Sequence, residues 1–125
     1  MPVGSHVPFH CTASGKTFLA SLSPALRKSF VKGMNLTPMT RNTFTDSGSL
    51  LDELALISKQ GYAVDNEEFM EGMVAIAVPI RDLNSRYCGS VAFHAPDQRL
   101  SIETAIDRKD FLLEGAKKLS KVLFI

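Results

Sequence analysis

The residues His10-Cys11-Thr12-Ala13-Ser14-Gly15-Lys16-Thr17 follow the phosphate-cradling pattern GxxxxGK[ST] at every fixed position except the first, where histidine replaces glycine. A phosphate loop needs a strand feeding it and a glycine with free backbone angles. Pro8 interrupts the upstream segment and His10 lacks that freedom, so nucleotide binding is not expected. What the segment retains is a helix start near Thr12, Ala13 and Ser14, whose unpaired amides suit a carboxylate or phosphate oxygen. Small side chains there let an anion reach the backbone; they equally suit a capped helix packed close to a sheet.

A second asymmetry lies in two segments that read as strands. In Met73 to Arg81, alternation sends Val74, Ile76, Val78 and Ile80 to one face, and Met73, Ala75 and Ala77 to the other. In Tyr87 to His94, Val91 and Phe93 form the large side, and Cys88, Ser90, Ala92 and His94 share the small one. A face of alanine and serine with one histidine makes either a pocket or a bed for a helix, and the spacing leaves both open. His94 reads as a histidine hydrogen-bonded at a strand end or as a ligand contact.

Other chemistry finds less support. Cys11 and Cys88 lie far apart and form no CxxC or CxxH unit, which fits reduced thiols. A nucleophilic cysteine needs a base, and only His10 stands close in sequence, on a neighbouring residue that normally points away. His10, Cys11, Cys88 and His94 are acceptable ligand types without a recognised spacing, so neither metal nor cofactor is expected. Glu67, Glu68 and Glu71 read as an acidic loop paired with lysine or arginine rather than as acid/base groups.

The elements that must position these residues follow from local signals. Thr12 caps a helix over Ala13 to Ser21, and Ser23-Pro24 opens a second that stops at Gly33. Asn35 to Thr45 is a loop. Asp46 or Ser47 caps a third helix through Gln60, with Leu50, Leu54 and Ile57 on one face and Gly61 supplying the left-handed terminus. A short strand covers Tyr62 to Asp65, and the two longer segments form an antiparallel hairpin around Asp82 to Ser85, with Pro79 signalling a bulge or the end of regular pairing. A last helix starts near Ser101 or Arg108, since Leu112, Ala116, Leu119 and Leu123 recur at helical spacing. The expected order is α-α-α-β-β-β-α, an antiparallel sheet flanked by helices that lacks its opening strands.

The 125 residues, 45% hydrophobic and 22% charged, suffice for one core and exclude a disordered or collagen-like chain. A net charge of +1 without a basic stretch argues against a free-standing nucleic-acid binder. No apolar run approaches the about 18 residues of a membrane span, and no leader-like segment opens the chain, so the reading is cytoplasmic with no membrane partner.

Taken in order, VGSHVPFHCTASGKTFLASL, MTRNTFTD, LLDELALISKQGYAVDNEEFMEGMVAIAVPIRD and RLSIETAIDRKDFLLEGAKKLSKVL resemble the C-terminal effector-binding domain of the IclR family of bacterial transcriptional regulators. The most specific blocks are HCTASGK and GYAVDNEEFMEGMVAIAVPI. The resemblance implies a GAF-like α/β (α+β) domain over residues 1–125 that is N-terminally truncated. It would be non-catalytic, bind a small organic acid, and set dimer or tetramer arrangement. DNA would be reached only through a winged helix-turn-helix absent from this chain.

Matched motif by motif, the family's ligand contacts fall at Ala13 and Ser14, Asp65, Ala75, and Ala92 with His94; Ser90 joins them from the small strand face. Positions that carry serine or cysteine in glyoxylate-type sensors are Ala75, Ala92 and His94 here, which leaves room for a larger acid, aromatic or sugar-derived. The alternatives are a small GAF-type enzyme using Cys11 or Cys88 in redox chemistry, or a dimerisation module with a vestigial pocket.

Overall fold

The computed structural model describes residues 8–98 and 101–123. Three helices come first: α1 (Ala13–Ser21), α2 (Pro24–Lys32) and α3 (Ser47–Gln60). Each starts where a short polar side chain can replace a missing backbone acceptor. The Thr12 hydroxyl accepts from Gly15 N–H at 3.0 Å, that of Ser23 from Leu26 N–H at 3.3 Å, and the Asp46 carboxylate from Ser49 N–H at 2.8 Å. Helix α3 ends at Gly61, whose φ of +86° is open to glycine and costly for other residues.

Strands β1 (Ala63–Asn66), β2 (Met73–Arg81) and β3 (Tyr87–Pro96) form an antiparallel sheet in the order β1-β2-β3. Helices α4 (Ile102–Asp107) and α5 (Lys109–Leu123) follow. The expected single C-terminal helix is therefore two. Ser101 caps α4, and the chain leaves helical geometry at Arg108, whose N–H bonds the Ala105 carbonyl at 3.1 Å. Both expected starts are real, one for each helix, and the order becomes α-α-α-β-β-β-α-α. The fold class is α+β, as expected.

Two layers of helix cover the sheet. On one face Val74 and Ile76 pack with Ala105, Ile102 and Leu112 of α4 and α5. Over the other face lies α1, backed by α2 and α3, with Leu19, Ala20, Val31, Leu50, Leu54, Ile57 and Ala63 forming a core. Ala13 is fully buried against Ala75, Ala77 and Ala92, so the small side of the sheet is, under α1, a bed for a helix. Small residues on both surfaces let the backbones approach closely.

The hairpin contains the irregularity that Pro79 announced, between Ile80 and Arg81. Ile80 pairs with Gly89 and Arg81 with Tyr87, which leaves Cys88 as the extra residue of a bulge. The expectation that Cys88 shares a face with Ser90, Ala92 and His94 is thus corrected. The bulge breaks the alternation and the exposed thiol donates to the Ile80 carbonyl at 3.2 Å. Its place on that side is taken by Tyr87, whose ring lies 5.7 Å from that of Phe18 in α1.

Candidate functional site

Helix α1 begins with one turn whose donors divide into two pairs. Thr12 satisfies the later pair: its hydroxyl takes Gly15 N–H, and its carbonyl takes Lys16 N–H at 3.0 Å. The Thr12 hydroxyl in turn donates to the Pro8 carbonyl at 2.8 Å, which fixes the cap. The earlier pair, Ala13 N–H and Ser14 N–H, has no acceptor among the described residues. Ala13 is fully buried and Ser14 partly so, so this is a helix start withdrawn from water with two donors that lack an acceptor among the described residues.

The strand register sets the remaining expected residues beneath it. Asp65, Ala75 and His94 are direct partners across β1, β2 and β3 and form one row. Ala63, Ala77 and Ala92 form the next row, and Pro79 and Ser90 the one after. Ala13, Asp65, Ala75 and Ala92 are therefore brought together, with Ser14 beside them and His94 at the exposed end of its row. Ser90 is set apart, one row beyond Ala92. Ser14 also borders an aromatic groove of about 370 Å³ with Phe9, Gly15, Phe18 and Tyr87. A larger groove of about 540 Å³ runs between the end of α3 and α5, past Pro79, Arg81 and Lys117. It contains none of the residues expected from the sequence.

Asp65 is only 6% exposed, and burial raises its pKa above the ordinary carboxylate range. Hydrogen bonds from the N–H groups of Glu68 and Phe69 oppose that rise, as do the charges of Lys16 and His94. Burial likewise raises Glu68, against the pull of Lys16.

Lys16 is the residue that reading the sequence for phosphate contacts misplaces. Its side chain is 0% exposed and its Nζ lies 2.7 Å from Glu68 Oε1, 2.9 Å from Glu53 Oε2 and 5.2 Å from the centre of the Phe44 ring. The signal was present in the spacing: Ala13, Lys16 and Ala20 share the buried side of α1. Gly15 has an equally structural reason. A Cβ there would sit 2.6 Å from Phe9 Cα and 2.7 Å from Phe9 O, so the chain crossing the helix requires glycine.

Burial pushes the Cys11 thiol up to about 11, with Asp65 and Glu68 adding to the rise and Lys16 opposing it. Such a thiol stays protonated and is a poor nucleophile. His10, its neighbour, makes a 2.8 Å hydrogen bond through Nε2 to the Thr37 carbonyl. Glu68 belongs to the ion pair anticipated for the acidic loop, while the Glu67 carboxylate accepts Gly72 N–H at 2.8 Å and closes the β1–β2 turn. Among the described residues no three His, Cys, Asp or Glu side chains are grouped to hold a metal ion, and no helix is long and apolar enough to cross a membrane.

Comparison with known proteins identifies the family and the fold. Residues 1–121 match the family model described as bacterial transcriptional regulator IclR C-terminal. The probable transcriptional regulator SauR of Cupriavidus necator is 40% identical over 100 residues, covering 80% of this chain and 40% of that protein. The structure of IclR from Thermotoga maritima superposes with a TM-score of 0.87 at 35% identity, over 99% of this chain and 50% of that one. The double mutant of the PobR inducer-binding domain from Acinetobacter, solved as a 3-hydroxybenzoic acid complex, gives 0.89 at 25% identity, over 98% and 73%. The chain spans less than half the length of the curated relatives it matches. Sequence blocks, sheet register and helix start thus converge, and the chain belongs to the IclR family of bacterial transcriptional regulators, matching its C-terminal, effector-binding region.

Proposed function

We propose that this chain senses a small organic acid, whose carboxylate accepts hydrogen bonds from Ala13 N–H and Ser14 N–H. The observation that carries the reading is that pair of open amides at a buried helix start, set over the row of Asp65, Ala75 and His94. Asp65 accepts from a ligand hydroxyl or a bridging water, Ala92 leaves room for the ligand's body at the less covered end of the sheet, and Ala75, buried under Ala13, forms the floor between them. His94 contacts it at the open end, and Ser90, one row out, bounds the site beside Tyr87.

An aromatic acid fits best, because Ser14 also borders the groove of Phe9, Phe18 and Tyr87, and because the similar PobR domain was solved with 3-hydroxybenzoic acid. In the whole protein, ligand occupancy shifts the arrangement of a homodimer or tetramer and so biases a DNA-binding domain outside this chain. The function is regulatory, not catalytic.

The test is an amide chemical-shift titration with 3-hydroxybenzoate, gluconate and acetate as probes. A bound acid moves the Ala13 and Ser14 resonances selectively. Ala92→Phe fills the space and Asp65→Asn removes a buried acceptor, each weakening the bound probe about tenfold or more, equivalent to ~1.4 kcal/mol. Unchanged affinity in both folded variants refutes these site assignments.

A further inference from the structure

Lys16 touches both halves of the proposed site. Its backbone N–H closes the first turn of α1 on Thr12, the turn that leaves Ala13 and Ser14 open. Its ammonium, sealed from water, grips Glu68 at 2.7 Å and Glu53 of α3 at 2.9 Å. Glu68 is the hub of the β1–β2 turn. Its Oε2 accepts Asn66 N–H at 3.0 Å, its carbonyl accepts the Thr43 hydroxyl at 2.6 Å, and its own N–H donates to Asp65 Oδ1 at 2.7 Å. A buried ion pair is a poor way to gain stability, since an apolar residue of similar length often does as well. What an ammonium adds here is direction: a fixed link from the helix start to the turn that carries Asp65.

We propose that Lys16 is the positioning residue of the effector site, holding the Asp65 carboxylate in place relative to the open amides of Ala13 and Ser14. This rests on the reading of those residues as an effector site. Lys16 does not touch the ligand; it acts through Glu68. The charged and titratable groups around Asp65 are Glu68 from the turn, Lys16 from α1, Cys11 from the segment before it and His94 from β3, with Glu53 of α3 reached through Lys16. Lys16 is the buried cation of that group, so its loss leaves three carboxylates facing one another without it.

The experiment follows the Asp65 side-chain carboxyl by 13C NMR as a function of pH in the full chain, in the parent and in Lys16→Met. Beside it runs the 3-hydroxybenzoate titration of the Ala13 and Ser14 amides. The expected result is an upward move of the Asp65 midpoint and a roughly tenfold weaker probe affinity near neutral pH. Lys16→Arg restores the midpoint, and Glu53→Gln, which keeps the Lys16–Glu68 contact, leaves it near the parent's. If Lys16→Met does not fold, Lys16→Leu, which likewise carries neither charge nor donor, is read in the same way. An Asp65 midpoint that is identical in the parent and the folded Lys16 variant overturns the proposal and leaves Lys16 as a structural strut. The carboxyl titration needs no ligand, so a parent that ignores every probe defeats the effector reading alone.

Discussion

Replacing Gly15 by alanine separates a packing role for this glycine from a phosphate-binding one. Within a helix, Gly→Ala ordinarily stabilises by about 0.5–1 kcal/mol, because glycine loses more backbone freedom on folding. Gly115, inside α5, is the control: a Cβ there meets nothing within 4 Å, so Gly115→Ala gains that amount. At Gly15 the added carbon would stand 2.6 Å from Phe9 Cα and 2.7 Å from Phe9 O. These are backbone atoms, which cannot swing aside like the end of a side chain. Overpacking costs about 1–3 kcal/mol, which after the helical gain leaves a net loss of up to ~2.5 kcal/mol. Urea unfolding of parent and both variants measures the two changes, provided that the denaturant slope stays constant. Opposite signs are expected. A gain of equal size at both positions refutes the argument that the Phe9 crossing is what demands glycine at position 15.

Stability should also depend on pH in a particular sense. Burial raises Asp65 and Glu68 in the folded chain, so folding holds their protons more tightly. That contribution is present below the ordinary carboxylate range and is lost as pH rises through the raised values. Urea titrations from about pH 4 upward should therefore show the parent's stability falling relative to Asp65→Asn, and a flat or rising difference rejects the assignment. Self-association is expected as well. β3 is ten residues long, its outer edge is unpaired among the described residues, and it carries no lysine, arginine or acidic residue to block pairing. Sedimentation at tens of micromolar, roughly the range where open edges associate, should show more than monomer, and a strictly monomeric profile counts against it.

What the sequence made legible was whatever depends on neighbours along the chain. Thr12, Ser23-Pro24, Asp46 and Gly61 each act within one helical turn, and the three helices they bound stand where those residues place them. The rows across the sheet depend on register, which alternation alone does not set. The bulge at Cys88 moved that residue out of the face its parity assigned. The break at Arg108 carries neither glycine nor proline, so Ser101 and Arg108 read as alternative starts of one helix rather than as the starts of two. Lys16 was the harder case. A lysine following glycine in a GKT segment resembles a phosphate ligand, and only the fold reveals that Glu53 and Glu68, distant in sequence, meet it inside the protein.

The small face of the sheet is covered unevenly. Ala75 and Ala77 on β2 are fully buried, because Ala13 of α1 rests on them. Across the ladder on β3 the burial fades: Ala92 and Ser90 are partly covered and His94 is exposed. On β3 the residues over this face are Ser90, Ala92 and His94, with Tyr87 beyond them against Phe18 of α1, so the small strip passes from helix-covered to solvent-facing. Any larger residue at Ala75 or Ala77 would lift α1 from the sheet, whereas a larger residue at Ala92 would chiefly occupy the uncovered side. The two positions therefore separate the structural demand from the binding one. Under the proposed function, substitution on β2 is expected to register in the unfolding free energy, and substitution at Ala92 in the affinity for the effector.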